Sequence, residues 1–303
     1  MKPSHDLRYA KGGALLPRRD AMIPLTTAFE AFRKGLDPTE APADAILDRF
    51  KLRDHVAATW RPVRAFVAGS YARGTNLRPT RELDYLFVLP PEHQRYVQGD
   101  PARFLDDLAV RADVAYPQVR ARRVAHGLAL AFGAVTVVLV PASPRHGGGL
   151  FLPDTEMRRW LPSDPEGHAA FVRERAAASH QLAAPVARAL RCWRRAQQVP
   201  LRGFHLEVLG LRGVDGASDF AAACADALAR VAAGIPTRCP APGPIGDDVD
   251  AYLAARPDAR AKAAALAAEA AGTLREALDR AAAGDHDGAR ALALRVFGAP
   301  FPG

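Results

Sequence analysis

Phe66-Val67-Ala68-Gly69-Ser70-Tyr71-Ala72-Arg73-Gly74-Thr75-Asn76-Leu77 decides the fold together with a second run close behind it, Arg81-Glu82-Leu83-Asp84-Tyr85-Leu86-Phe87-Val88. The first run reads as a strand, a tight turn and a helix start. Glycine lets a backbone close on a phosphate with no Cβ in the way, and the amides that follow, with the Ser70 hydroxyl, can receive phosphate oxygens. The second run reads as a strand. Side chains alternate along a strand, so Glu82 and Asp84 share one face while Leu83, Tyr85 and Phe87 take the other. Two neighbouring carboxylates repel unless a cation lies between them, and oxygen ligands of this kind suit Mg²⁺ or Mn²⁺ shared with substrate phosphates. Alone, Gly-Ser is a common turn and Glu-x-Asp a common solvated strand edge. Together they describe a nucleoside triphosphate site.

Outward from this centre, Ile23 to Trp60 has helical spacing broken at Gly35 to Pro38, and Pro62 ends it. A helix is expected after Pro101, then strands at Leu128 to Phe132 and Val135 to Val140, joined through Gly133-Ala134. Beyond Pro165 the pattern is helical: Phe171 to Trp193, Phe204 to Leu211, Phe220 to Ala233, Tyr252 to Ala283 and a turn near Val296-Phe297. The expected layout is α+β, with residues 1–150 a mixed core carrying N-terminal helices and residues 151–303 a helical unit. A cleft between two such units is a common ligand site.

The 303 residues carry a formal net charge of +8, which suits a partner rich in phosphate. It does not separate nucleotide from nucleic acid, and arginine and alanine are abundant enough to discount it. No apolar run approaches the length of a membrane span. The first residues, MKPSHDLRYAKGGALLPRR, are basic, lack a secretory apolar stretch and read as a loose tail, so the cytoplasm is the expected compartment. Cys192, Cys224 and Cys239 form no C-x-x-C pair, and Cys192 and Cys224, in helical Ala-rich contexts, read as small apolar residues.

The quoted runs resemble the nucleotidyltransferase signature of oligoadenylate synthases, cyclic GMP–AMP synthase and their bacterial relatives, the cyclic-oligonucleotide-producing enzymes of antiphage signalling. The resemblance continues in order through Trp160-Leu161-Pro162-Ser163-Asp164-Pro165-Glu166-Gly167-His168, Leu190-Arg191-Cys192-Trp193, Pro200 to Glu207 and Phe297 to Pro302. It implies a polymerase-β-like nucleotidyltransferase core with a helical C-terminal unit. It also implies Glu82 and Asp84 as catalytic metal ligands, with Gly69, Ser70, Arg73, Thr75 and Arg191 as nucleotide-binding residues. The substrates it implies are nucleoside triphosphates; the product is a linear or cyclic oligonucleotide second messenger, read by a separate effector protein.

The family's third carboxylate opens a later strand, here Val135 to Ala142, and its position holds Val138, with Thr136 on the same face. No Asp or Glu lies between Gly127 and Gly149. A valine neither bridges cations nor accepts a proton. Three readings follow: turnover on two carboxylates, an acid borrowed from Asp113, Asp154 or a partner chain, or a degenerate nucleotide-binding pseudo-enzyme. An RNA-terminal transferase is a further alternative, for which this length leaves little room. The family often has lysine where Arg191 stands, and arginine keeps the charge. His168 reads as structural, and Glu207 as a holder of backbone or of a basic residue. Arg120, Arg122 and Arg123 read as a solvated basic face, with no interleaved aromatics to stack bases.

Overall fold

The protein is described here by a computed structural model that covers residues 23–38 and 43–302. The basic stretch at residues 1–19 lies outside the described residues. Three helices come first: α1 (Leu25–Leu36), α2 (Ala43–Arg49) and α3 (Leu52–Trp60). Strand β1 (Arg64–Ala68) runs into the four-residue helix α4 (Gly69–Ala72), and β2 (Glu82–Val88) follows. After α5 (Pro101–Ala115) come β3 (Ala121–Val124), β4 (Gly127–Phe132) and β5 (Val135–Pro144). A hairpin of β6 (Leu150–Asp154) and β7 (Arg159–Ser163) precedes the helical series. That series is α6 (Pro165–Ala178), α7 (Ala183–Ala196), α8 (Gly203–Leu211), α9 (Phe220–Gly234), α10 (Pro257–Ala282) and α11 (His286–Phe297).

The sheet runs β1-β2-β5-β4-β3, with β6 on β5 and β7 on β6. Among the described residues only the β2–β5 pair is parallel, and it sets the site. Glu82 stands opposite Thr136 and Asp84 opposite Val138, so the two strands expected to share the acidic face are neighbours in register. Odd-numbered residues of β2 and β5, among them Leu83, Tyr85, Phe87, Val137 and Leu139, pack with α2, α3 and α5 into one core. Even-numbered ones, Leu86, Val88, Val138, Val140 and Ala142, form a smaller core on the opposite face.

Two departures from the sequence reading concern the division of the chain. The amphipathic face of α1 does not join the mixed core. Phe29 and Phe32 pack among Phe220, Phe297 and Phe301, with ring centroids 4.8–6.4 Å apart. And β6 and β7 continue the sheet past residue 150, into the segment read as helical. The helix expected from Phe171 to Trp193 is also two helices. His180 and Gln181 take positive φ angles, 48° and 66°, a conformation that breaks a helix.

Candidate nucleotide-binding site

A cleft of about 610 Å³ lies between the sheet and the helical series. Gly69, Ser70, Arg73, Glu82, Asp84 and Arg191 all line it. Of the residues expected to bind metal or nucleotide, Thr75 alone does not. It is fully buried, and its hydroxyl donates to Glu207 Oε1 at 3.0 Å.

The turn and the acid are fitted to each other. Gly69 has φ +65°, and a Cβ built on it would lie 1.7 Å from Asp84 Oδ2. The glycine is therefore required by the carboxylate behind it as well as by a left-handed backbone. Asp84 is largely buried, with 16% of its side chain exposed, whereas Glu82 is exposed. Burial alone would raise the Asp84 pKa. The hydrogen bond from His126 and the charges of His126, Arg73 and Arg191 outweigh burial and hold it below the ordinary carboxylate value.

Glu207 ties the two halves of the cleft together. On α8 it is completely buried and faces back to the loop after α4. Arg73 Nε donates to Oε2 at 2.8 Å and Arg191 Nη1 to Oε1 at 2.6 Å. Burial pushes its pKa up, but the two guanidiniums prevail and lower it. One carboxylate thus serves two arginines, leaving one net positive charge beside the Gly-Ser turn. Gly203, at the start of α8, makes room for the second of them: a Cβ there would lie 2.8 Å from Arg191 Nη1. Arg191 is therefore no surface charge, and Glu207 is the holder of basic residues that its sequence context indicates. A second strut joins the halves where Arg188 Nη1 donates to Gly74 O at 2.8 Å.

The two acids named as stand-ins for the missing carboxylate are not free to act as such. Asp154 lines the cleft, but its carboxylate accepts from Arg202 Nη1 at 2.6 Å and from the Met157 amide at 2.9 Å. Asp113 lies on α5, which packs against the opposite face of the sheet. His168 stacks on Phe204 at 4.1 Å, and burial, helped by Arg73, lowers its pKa to about 4, so it is neutral at physiological pH. Arg122 and Arg123 are exposed on the edge strand β3, and Arg123 pairs with Asp106.

His126 went unnoticed in the sequence. It occupies the turn between β3 and β4, and its Nε2 lies 3.3 Å from Asp84 Oδ1. Its side chain is 46% exposed. Desolvation works to lower its pKa, yet the carboxylates of Asp84 and Glu82 raise it above the usual histidine value. The signal was a histidine before a glycine at a hairpin turn, and it depended on recognising the Arg-rich β3 as a strand.

Two carboxylates on one strand face, one buried and one open to the cleft, fit a divalent cation that also takes oxygens from a ligand. Among the described residues, no group of three or more His, Cys, Asp or Glu is gathered to enclose an ion by itself. Nor is any helix among them long and apolar enough to cross a membrane.

Residues 27–175 match the family model of the Second Messenger Oligonucleotide or Dinucleotide Synthetase domain. The chain is 26% identical over 157 residues to a cyclic AMP-AMP-AMP synthase of an Acinetobacter species. That match spans 48% of this chain and 45% of the relative, so the chain aligns with less than half the length of that protein. Its fold is similar to that of Bradyrhizobium diazoefficiens CdnG, solved with GTP, with TM-score 0.69 at 13% identity, covering 90% of this chain and 98% of that one. It is similar also to Escherichia coli CdnC, solved in complex with a HORMA protein, with TM-score 0.67 at 19% identity and coverage of 93% and 99%. Vibrio cholerae DncV, a cyclic AMP-GMP synthase solved with a linear intermediate, gives TM-score 0.62 at 14% identity and coverage of 94% and 87%. The fold is thus a polymerase-β-like nucleotidyltransferase core with a helical C-terminal part, and residues 27–175 carry the match to the second-messenger-synthetase family of cyclic-oligonucleotide-producing nucleotidyltransferases.

Proposed function

We propose that the protein joins nucleoside triphosphates into a linear or cyclic oligonucleotide, with a divalent cation on Glu82 and Asp84, and that the product is a second messenger in antiphage defence acting on a separate effector protein. The observation that carries this reading is the shared cleft. The Asp84 carboxylate abuts the Gly69-Ser70 turn, and the Arg73 and Arg191 guanidiniums stand beside it on Glu207.

In this reading the Gly69-Ser70 turn and the two arginines hold the triphosphate tail. Glu207 fixes both guanidiniums before substrate arrives, so little ordering is left for the moment of binding. Thr75, bonded to Glu207 and to Ser70 O, braces the turn from below and does not itself touch phosphate. A divalent cation there supplies positive charge that polarises the α-phosphate and neutralises the leaving pyrophosphate. Asp84, kept ionised by its neighbours, and Glu82 are the residues that would hold that cation.

Val138 favours a second reading, a nucleotide binder without turnover. One experiment separates the readings. The protein is incubated with labelled nucleoside triphosphates and Mg²⁺ or Mn²⁺, with and without RNA, beside Asp84→Ala. Small products that disappear in the variant support the proposal. Tight nucleotide binding without product supports the second reading, and extension of added RNA overturns both in favour of a terminal transferase.

A further inference from the structure

The guanidiniums that line the cleft fall into two groups by what they are bonded to. Arg73 and Arg191 share Glu207, and Arg202 holds Asp154 and Glu156 at 2.6 Å each. Arg81, Arg194 and Arg195 also line the cleft, yet among the described residues none of them has a carboxylate within 4.0 Å. Arg194 donates through Nε to Leu201 O, and the side chains of Arg81 and Arg195 make no hydrogen bond among the described residues. The three come from two elements. Arg194 and Arg195 stand in the last turns of α7, one turn past Arg191, and Arg81 immediately precedes β2. Like charges at this helical spacing repel. Burial and the charges of Arg191 and Arg195 lower the Arg194 pKa; loss of solvent, then the charges of Arg191 and Arg81, lower that of Arg195. Both stay charged at physiological pH. The C-terminal end of a helix favours cations, which accounts for Arg194 and Arg195 but does nothing for Arg81. Glu82 is the carboxylate whose charge reaches both helical arginines, and in the reading above that charge belongs to a cation. Gly69 abuts Asp84, whereas Arg81 adjoins Glu82, so the trio lies toward Glu82 and the phosphate turn toward Asp84.

We propose that Arg81, Arg194 and Arg195 form a second anion subsite, which holds the 5′-triphosphate of the accepting nucleotide, the one whose hydroxyl attacks. The proposal rests on the reading of Glu82 and Asp84 as cation ligands and of the Gly69-Ser70 turn as the seat of the donor's tail. Joining two nucleoside triphosphates brings two polyanionic tails into one cleft. The cation, Arg73 and Arg191 answer the first. The second is repelled by it unless it meets positive charge of its own. In the joining step the acceptor's hydroxyl oxygen bonds the donor's α-phosphorus and the α–β bridging bond breaks. Pyrophosphate leaves with that electron pair, and the hydroxyl proton passes to water. The acceptor's own triphosphate is untouched and stays at the 5′ end of the product. A polyanion that keeps its charge throughout the step suits guanidiniums, which fork onto phosphate oxygens and do not lose their protons. The trio thereby selects acceptors that carry a 5′-triphosphate over nucleosides that do not.

The test uses the full chain with Mg²⁺ and labelled α,β-methylene nucleoside triphosphates of all four bases, which bind without being cleaved. Equilibrium dialysis should count two bound triphosphates per chain in the wild type and one in the double variant Arg81→Gln with Arg195→Gln. Arg120→Gln with Arg122→Gln removes the same charge from exposed positions outside the cleft and should leave two. Turnover gives a second readout. A labelled 2′,3′-dideoxynucleoside triphosphate can donate but not accept, so it is joined to an added acceptor alone. The wild type should favour an acceptor triphosphate over the corresponding nucleoside by about tenfold or more in kcat/KM, and the Arg81 and Arg195 double variant should lose that preference with the donor KM unchanged. One triphosphate per chain in the wild type, lost in Asp84→Asn, would overturn the proposal and leave the carboxylate site standing. So would a second triphosphate lost equally in the control variant. A ligand that remains in the Arg81 and Arg195 variant and is not weakened by Asp84→Asn would overturn the reading of the carboxylate site, and with it the assignment of the second tail to an acceptor.

Discussion

Gly69→Ala tests the contact on which the site's geometry turns. The methyl group would be built 1.7 Å from Asp84 Oδ2 and 2.7 Å from its Cγ, far inside any tolerated separation. Alanine at φ +65° costs about 1–2 kcal/mol by itself. The carboxylate must also swing away and give up its bond to His126, a charge-assisted interaction of about 1.5–3 kcal/mol in general and less for a histidine this exposed. A total near 3 kcal/mol is expected. At roughly 2–4 °C per kcal/mol, that lowers the apparent melting temperature by about 6–12 °C. The decisive comparison is the same substitution made in Asp84→Ala. There the nearest remaining atom is the residue-84 Cβ, at 3.2 Å, and only the backbone term of about 1–2 kcal/mol is left. The four proteins form a cycle whose coupling should be about 1–2 kcal/mol, read from thermal melts in chelator. If Gly69→Ala costs the same in both backgrounds, the carboxylate does not lie against the turn and the account of the site is wrong.

Asp84→Ala should cut metal-dependent nucleotide turnover by about a thousandfold or more while leaving the melting curve folded, as a labelled-nucleotide assay beside a melt would read. Val138→Asp should lower stability in chelator, since a third acid joins Asp84 in a nearly closed row, and regain it on adding Mg²⁺. A variant whose stability is indifferent to the ion would show that residue 138 does not meet the acidic pair. Glu207→Ala leaves two guanidiniums without their shared partner and should cost about 3–5 kcal/mol, with weaker triphosphate binding by calorimetry. Because Glu207 titrates below its unfolded value of about 4.3, its contribution is complete above that pH and fades as pH falls through the lower folded value. Glu207→Gln should therefore flatten the acid limb of a stability profile, and an unchanged limb would count against the Arg73–Glu207–Arg191 arrangement.

The parts of the site legible in the sequence are those that lie close together along it. Gly69-Ser70 and Glu82-x-Asp84 are separated by one short connection, and strand alternation alone puts both acids on one face. The resemblance marked Val138 as the place of the absent carboxylate, and the parallel β2–β5 pairing sets that residue opposite Asp84. What stayed hidden depends on distant contacts. Glu207 meets Arg73 across 134 positions, and nothing local distinguishes a buried glutamate on α8 from an exposed one. His126 was hidden because β3 is short and bears two exposed arginines, which mask its strand character. The spacing of Phe29 and Phe32 says that α1 buries a face, not which core receives it.

That last point has a consequence during synthesis. The aromatic group around Phe29 and Phe32 is completed by Phe297 and Phe301, which leave the ribosome after every other member of that core. The sheet, whose strands lie between residues 64 and 163, has all its pairing partners well before then. The nucleotidyltransferase core can therefore close early, while Phe29 and Phe32 of α1 wait first for α7 and α9 and then for Phe297 and Phe301 to complete their cover. A chain of this design has a long interval in which the apolar face of α1 is only partly covered, and long-range closure of this kind is slow. The demand on chaperones falls on the N-terminal helix, far along the chain from the residues that perform the chemistry.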